Sequence, residues 1–403
     1  MRLNSSPSSG RVLRFDSFVP SSSSPSPPTV GGEGEEVVVG GEEEEGQEGQ
    51  EEEGAHQCRA DPLVAQASPD FQALPWAYRQ HLLYRHCRHF PLRIDQPEAC
   101  AGTHGAPYLL LAIKSRVQDF GHRELVRQTW GAGGDHRVRR VFLLGTLPDS
   151  VNATFWDEFL RHESSAYGDL LQWGFHDTFL NLTLKETSFL RWFHEHCPRA
   201  SFVLQCDADM LVSVPNALAF LRGPDLDPDD HLFAGDLIVD ARPIRDPRSK
   251  YFIPDSLYGA DRYPPYAGGG AFLVSRRTAL ALRRASDAVA PFPIDDVFLG
   301  MCLLQLGVTP QAHAGFRTLG LDRPAGRKAA AAAGGGGGGL WAARGGGVAK
   351  VARCLLRDLV AVHGLTPAQV WLAHRLVGTT GGCGRRASSA VRVVRPGRWW
   401  RKD

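Results

Sequence analysis

Two acidic residues behind an apolar run are the first candidates for chemistry. Asp207 and Asp209, two positions apart, follow residues 201–205, which predict a buried strand. Two carboxylates at a strand end can hold one Mn²⁺ or Mg²⁺ that also binds a diphosphate and offsets its charge. The same spacing occurs in solvated turns, so the residues alone leave a metal site and a turn as alternatives.

A second acidic pair, Asp295 and Asp296, precedes residues 297–306, an apolar run that predicts a helix. A carboxylate there can act as a general base and remove the proton of an attacking hydroxyl group. Acidic residues at a helix start can equally cap it, because they interact favourably with its free N–H groups. Catalysis and capping therefore both remain open on the residues alone.

Basic and hydroxyl side chains follow the first predicted strand and continue on the next helix. They are Lys114, Ser115, Arg123 and Arg127. Such groups suit a nucleotide diphosphate, whereas a solvated basic helix face is the alternative, which for Arg123 is as good an explanation.

A histidine and a glycine run are further candidates. His363 follows the apolar residues 359–362, and a lone histidine is more often structural than a metal ligand. Gly268, Gly269 and Gly270 permit close approach of the backbone to a sugar or form a tight turn between strands.

Apolar runs alternate with segments of helical period before the Asp207 region. Strands are predicted at residues 106–113, 138–144, 169–173 and 201–205, and helices at residues 122–130 and 182–194. This alternation favours an α/β fold with a mostly parallel sheet flanked by helices. Its ligand site is expected at the carboxyl ends of the strands.

Composition sets the domain boundaries. Residues 1–75, Ser/Pro-rich and then Glu/Gly-rich, are predicted to be a disordered tail. The catalytic domain is predicted over residues 76–383, with a low-complexity Ala/Gly loop at 325–350, and residues 384–403 form a basic tail. We expect no nucleic-acid partner.

Cysteine and sequon patterns indicate an oxidising compartment. The eight cysteines form no CxxC pair and have no zinc-site spacing, which favours disulfides. Asn152 and Asn181 each begin an N-x-T triplet that can carry an N-glycan. No run reaches the roughly 18 apolar residues that a membrane span needs.

Several motifs occur in a fixed order along the chain. They are RQTWG at 127–131, FLLG at 142–145, DTFLNLTLK at 177–185, the strand with Asp207 and Asp209, SKYFIP at 249–254, YPPYAGGG at 263–270 and PIDDVFLGMC at 293–302. This series resembles the β-1,3-glycosyltransferase family, and the last motif most resembles its β-1,3-N-acetylglucosaminyltransferase branch. The resemblance spans roughly residues 84–320 and 351–383.

The resemblance implies a Rossmann-like GT-A fold and a UDP-sugar donor, expected to be UDP-GlcNAc. The acceptor would be a galactose-ended glycan, extended with inversion at its 3-hydroxyl. By match to the family motif, Asp296 is the base and Asp295 a supporting residue. Asp207, Asp209 and His363 would bind Mn²⁺ or Mg²⁺.

The resemblance also implies where the donor lies. The uridine and diphosphate are expected near Lys114, Ser115, Arg123 and Arg127, with the glycine run close to the sugar. Ala208 stands at the middle position of the metal motif, where the family often has Asp, and is counted with the donor contacts. It is neutral toward the metal if its two neighbours ligate.

Disulfides and location follow from the same resemblance. It implies Cys302–Cys354 and Cys87–Cys100 bonds and a free Cys206. It also implies a type II membrane protein of the Golgi lumen, although the family's usual N-terminal anchor is not present in this sequence.

Two other functions stay open. One is a β-1,3-galactosyltransferase of the same fold that uses UDP-galactose, which needs only small changes around the donor sugar. The other is a glycan-binding pseudoenzyme, suggested by Cys206 and Ala208 beside the expected metal site.

Overall fold

The computed structural model of the chain describes residues 58–67, 71–101, 105–132, 134–147, 152–318, 320 and 356–377. Its helices are α1 (Pro62–Ala67), α2 (Trp76–Leu83), α3 (Phe120–Gln128), α4 (Ala153–Tyr167), α5 (Leu182–His196), α6 (Val214–Leu221), α7 (Arg276–Ala288), α8 (Asp295–Leu306) and α9 (Pro367–Val377). Its strands are β1 (Leu92–Ile94), β2 (Leu109–Lys114), β3 (Val138–Thr146), β4 (Leu170–His176), β5 (Phe202–Asp207), β6 (Leu211–Val212), β7 (Phe233–Ile238), β8 (Tyr266–Ser275), β9 (Gln311–Ala312), β10 (Phe316–Arg317) and β11 (Ala361–Val362).

Eight strands form the central sheet, in the order β1-β4-β3-β2-β5-β8-β7-β9. Strands β4, β3, β2 and β5 run parallel to one another, whereas β8 is antiparallel to both of its neighbours. Short β1 closes one side in antiparallel pairing. The predicted α/β class, with a mostly parallel sheet between helices, is confirmed.

Strand β2 shows why the sheet lies at the centre. All six of its residues are buried, as the unbroken apolar run predicts for a strand covered on both faces. Leu110 and Ala112 join one hydrophobic core with α5, α7 and α8. Leu111 and Ile113 point to the other face, into a second core with α3, α6 and α9.

A second, three-stranded sheet joins distant parts of the chain beside the end of β5. Strand β11 pairs with β10 on one side and with β6 on the other. The register sets Val362 against Leu211. This pairing brings the residue after β11, His363, toward Asp209, which lies two residues before β6.

Ordered structure begins earlier than the sequence predicts. Phe71 and Leu74 are buried in the first core, so the expectation of a disordered tail through residue 75 is wrong for residues 58–67 and 71–75. The rest of that tail, the loop at 325–350 and the basic tail lie outside the described residues. Within the described ranges, no helix has the length and apolar character to cross a bilayer.

The described disulfides differ from the expected pairs. Cys58 bonds to Cys87, and Cys100 bonds to Cys197, so the Cys87–Cys100 prediction is wrong. Cys206 is a buried free thiol, as predicted. Cys302 is also free and buried, which does not match its expected bond to residue 354, a position outside the described ranges.

Candidate active site

Strand register brings the first candidate residues together. Lys114 and Asp207 end the parallel neighbours β2 and β5 and are register partners at the same edge of the sheet. Lys114 Nζ lies 3.4 Å from Asp207 Oδ1. Burial raises the pKa of Asp207, although the Lys114 ammonium opposes that rise.

Lys114 contacts several groups at this edge of the sheet, and only 4% of its side chain is exposed. Its Nζ donates to Asp295 Oδ2 at 2.8 Å and to the Gly269 carbonyl at 3.1 Å, and lies 3.3 Å from Glu186 Oε1. Burial alone would lower the pKa of Lys114, but Asp207, Asp295 and Glu186 together raise it well above its ordinary value. Lys114 therefore links both predicted acidic pairs.

Glu186 was missed by the sequence analysis. It is fully buried on α5, and Gln205 Nε2 donates to its Oε2. Burial raises the pKa of Glu186 to about 7. The available signal was its position, because Phe189 and Phe193 at three and seven residues further lie on the same buried helix face. An acid within such a face needs a buried partner.

Asp296 is half-buried in the first turn of α8. Its Oδ2 accepts from Gly269 N at 3.0 Å, and its Oδ1 accepts from Val297 N at 2.8 Å. Burial and the neighbouring Asp295 charge raise the pKa of Asp296 to about 7, although Gly269 N–H and Lys114 oppose the rise. A carboxylate of this kind is partly ionised near neutral pH, and its ionised form is basic enough to take a proton.

Capping describes Asp296 in part, because its Oδ1 accepts from Val297 N, an N–H group in the first turn of α8. The N-cap of α8 is Ile294, and no side chain makes a cap hydrogen bond there. Asp295 is instead committed to the buried Lys114 ammonium.

The glycine run lies within β8 and is not a turn. A Cβ on Gly268 would lie 2.8 Å from Thr318 Oγ1, and one on Gly270 would lie 3.3 Å from Met210 Sδ. A Cβ on Gly269 would approach Asp296 to 3.3 Å. Gly268 and Gly270 therefore leave room for Thr318 and Met210, and Gly269 lets Asp296 approach the strand. Contact of this run with a sugar remains a prediction.

Asp209 and His363 meet at the exposed rim of the same edge. His363 Nε2 lies 3.3 Å from Asp209 Oδ2, with 43% and 52% of the side chains exposed. Their hydrogen bond lowers the pKa of Asp209 and raises that of His363. Asp207 is half-buried at the end of β5, and its carboxylate does not lie within 4.8 Å of both of these side chains. Two carboxylates and an imidazole fit a Mn²⁺ or Mg²⁺ site, and two of them are already adjacent.

Arg123 is fully buried, so neither a ligand contact nor a solvated helix face describes it. Its guanidinium forms two bonds of 2.8 and 2.7 Å to Glu163 of α4. It also donates to Ser115 Oγ at 3.1 Å and to the Val117 carbonyl. Arg123, which was predicted to contact the UDP-sugar, therefore stabilises the loop after β2.

Arg127 also departs from the prediction. It is buried and donates to Glu163 and to both oxygens of Asp169. Because these carboxylates balance its charge, Arg127 is not one of the residues proposed to bind the UDP-sugar.

Ser115 and Ala208 keep their side chains away from solvent. Besides the bond from Arg123, the Ser115 carbonyl accepts from Lys185 Nζ at 2.6 Å, and Lys185 also donates to Asp177 at 2.9 Å. Ala208 N donates to the Lys114 carbonyl at 2.9 Å. Through these contacts Asp177 and Lys185 support the loop after β2. A nucleotide contact by Ser115 or Ala208 remains a prediction.

Comparison with known proteins identifies the family of the chain. A family model described as galactosyltransferase matches residues 121–314. The chain is 43% identical over 315 residues to UDP-GlcNAc:betaGal beta-1,3-N-acetylglucosaminyltransferase 7 of Rattus norvegicus, covering 77% of this chain and 73% of that protein. It is 45% identical over 319 residues to UDP-GlcNAc:betaGal beta-1,3-N-acetylglucosaminyltransferase 9 of Homo sapiens, covering 75% of this chain and 74% of that protein. The solved galactosyltransferase LgtC, with donor and acceptor sugar analogues, is 13% identical with a TM-score of 0.33, covering 69% of this chain and 98% of that chain. The chain thus belongs to the galactosyltransferase family, in which these relatives are named as β-1,3-N-acetylglucosaminyltransferases.

Proposed function

We propose that the chain transfers N-acetylglucosamine from UDP-GlcNAc to the 3-hydroxyl of a β-galactose-ended glycan, with inversion. The names of relatives 43–45% identical over about three quarters of the chain support this donor and acceptor. The observation that carries the proposal is Asp296, a half-buried carboxylate with a pKa of about 7. It lies at the same sheet edge as the metal-binding candidates Asp207, Asp209 and His363.

The chemistry is a single displacement. The acceptor O3 forms a bond to C1 of the donor sugar while the bond from C1 to the diphosphate oxygen breaks, and UDP leaves with the electron pair. Asp296 accepts the proton of the O3 hydroxyl as the new bond forms. The bonds from Gly269 N and Val297 N fix this carboxylate before the substrate arrives, which reduces the entropy lost on reaching the transition state.

Asp207, Asp209 and His363 would hold the divalent ion. When bound, Mn²⁺ or Mg²⁺ would supply positive charge that stabilises the departing diphosphate. The exposed pair of Asp209 and His363 supports this assignment.

Lys114 and Glu186 have a positioning role in the proposal. Lys114 contacts Asp207 on the donor side and Asp295 beside the base, and it fixes the Gly269 carbonyl. Glu186 Oε1 lies 3.3 Å from the Lys114 ammonium and helps to hold it in place.

The lumen of the Golgi is the proposed location. The Cys58–Cys87 and Cys100–Cys197 bonds support it, because disulfides persist in the oxidising secretory pathway.

A donor panel tests the function. Purified chain receives UDP-GlcNAc, UDP-galactose or UDP-GalNAc with a β-galactoside acceptor and Mn²⁺, and NMR identifies the product linkage. We expect a β-1,3-linked GlcNAc product, and none from the matched Asp296→Asn variant. A preference for UDP-galactose would contradict the proposal that UDP-GlcNAc is the donor. Absence of transfer from every donor would contradict the proposed transferase activity.

A further inference from the structure

Aromatic side chains form an incompletely covered stripe at the start of α4. Phe155 is 57% exposed, and Trp156, Phe159 and Phe120 of α3 are half-buried beside it. The rings of Phe155, Trp156 and Phe159 contact one another, and Phe159 meets Phe120 edge to face at 5.2 Å. An exposed aromatic patch of this kind is a binding surface for apolar groups.

Asn152 lies next to this stripe along the chain, one helical turn before Trp156. Asn152 is the N-cap of α4 and lies in the left-handed region, with φ 39° and ψ 42°; its carbonyl accepts from Trp156 N, so its backbone lies one turn before Trp156. The backbone of the residues three, four and seven positions later follows on that side of the helix, one to two turns away. Those residues are Phe155, Trp156 and Phe159.

Asn152 also begins the triplet Asn152-Ala153-Thr154. Both Asn152 and Thr154 are exposed, and the Asn152 side chain makes no cap hydrogen bond. The second triplet is less open in the folded chain, since the Asn181 amide donates to the His176 carbonyl and Thr183 is buried.

We propose that Asn152 carries an N-glycan whose first sugars lie against the stripe of Phe155, Trp156 and Phe159. The apolar C–H face of a pyranose ring suits an aromatic surface, and the backbone of the attachment point lies one turn before Trp156. The inference rests on the lumenal location proposed above.

The modification is a group transfer from a lipid-linked oligosaccharide diphosphate. The Asn152 amide nitrogen forms a bond to C1 of the first sugar and loses one proton. The bond from C1 to the phosphate oxygen breaks, and the lipid diphosphate leaves. Thr154 supplies the hydroxyl that the transferase recognises.

Occupancy is tested first, on the full chain produced in a eukaryotic secretory host. Enzymatic deglycosylation in H₂¹⁸O followed by peptide mass spectrometry should convert Asn152 to labelled aspartate in most molecules. Thr154→Ala should abolish the label, and Thr154→Ser should retain it.

Contact with the stripe is tested by thermal unfolding of the same preparations. We expect Thr154→Ala to lower Tm by about 2–4 °C relative to Thr154→Ser, a shift of the size that modest losses cause in domains of this length. Alanine is the better helix former, so the helix itself would shift Tm in the opposite direction. In a Phe155→Ser background the same comparison should differ by less than about 1 °C, a small part of that shift.

Each outcome is decisive. Bare Asn152 on a chain that is disulfide-bonded and transfers GlcNAc overturns this inference alone. Bare Asn152 on a chain without disulfides overturns the location and this inference together. Equal Tm losses with and without Phe155 overturn the contact between glycan and stripe.

Discussion

Asp295 and Asp296 are adjacent residues with different surroundings. Asp295 is paired with Lys114, whereas the strongest contacts of Asp296 come from backbone N–H groups. We expect Asp296→Asn to lower kcat at least about a hundredfold, because a lost general base typically costs about 10²–10⁴ in rate. Asp295→Asn should lower kcat less. Steady-state kinetics with UDP titration checks this, and more than about a tenth of wild-type kcat in Asp296→Asn would place the base elsewhere.

The direction in which Asp296→Asn changes the free energy of unfolding follows from the pKa of Asp296. Folding raises the pKa of Asp296 from 3.8 to about 7, so the folded state binds this proton more tightly. The stabilising contribution is present below pH 4 and is lost as the pH rises through 7. Urea unfolding at pH 8 should therefore find Asp296→Asn at least as stable as the wild type, and a clear loss would contradict the raised pKa.

The pH dependence of kcat/KM follows from the same carboxylate. The rate should rise with pH and level off above about 7, where Asp296 is ionised. Asp295→Asn removes a negative neighbour that raises this pKa, so its profile should shift toward lower pH. A profile that is flat from pH 5 to 9 would argue against a titrating base.

Metal dependence concerns the rim of the site. EDTA should abolish transfer, and His363→Ala should raise the Mn²⁺ concentration for half-maximal rate by at least about tenfold, the loss typical even of outer-shell partners. His162→Ala, at an exposed histidine of α4, is the matched control. Full activity after metal stripping would refute the assignment.

Local patterns predicted the residues that follow strands and missed those fixed by long-range contacts. Asp207 and Asp209 stand just beyond an apolar run, so their place at a strand end could be predicted, whereas His363 was joined to them only by the family resemblance. The burial of Glu186 had a local signal, but its partners Lys114 and Gln205 did not, because they reach it only through the sheet.

At the scale of elements, two buried ion pairs join α3 to α4, because Arg123 and Arg127 both bond to Glu163. Arg123→Met should lower the free energy of unfolding by about 1–3 kcal/mol, because Glu163 loses two charged hydrogen bonds and keeps only Arg127 as a partner. Arg116→Met removes an exposed pair with Asp119 and should cost less than about 1 kcal/mol. Urea titrations compare the two, and equal losses would contradict the ion pair's importance.

The elements that sequence reasoning missed have weak local signals. Helix α4 buries only Leu160 and Glu163, so its apolar residues do not form the usual core stripe. Its aromatic residues lie on a partly exposed face instead. The glycines of β8 left approach to a sugar and a tight turn as alternatives, because nothing local shows that Thr318 and Met210 lie beside them.

At the scale of the whole molecule, two disulfides close loops of different length. Cys100–Cys197 spans 97 residues, and Cys58–Cys87 spans 29. Loop entropy gives about 4.7 and about 3.6 kcal/mol of stabilisation, respectively. Paired alanine variants should therefore lower unfolding free energy in that order, as measured by denaturant titration. Peptide mapping without reductant is the control, and a Cys87–Cys100 peptide would contradict the pairing.

The pairing could not be predicted from spacing. Cys100 lies in a short 3₁₀ helix and Cys197 directly after α5, and the packing of α5 against that helix brings them together. Such proximity is a property of the assembled sheet and its layers.

The ends of the central sheet bear on how the chain behaves at high concentration. The outer strands, β1 and β9, have only three and two residues. An outer strand offers unpaired N–H and C=O groups to other chains, and short outer strands offer few of them. The long apolar strands β2 and β5 are therefore shielded from intermolecular strand pairing, so aggregation through the sheet requires prior unfolding.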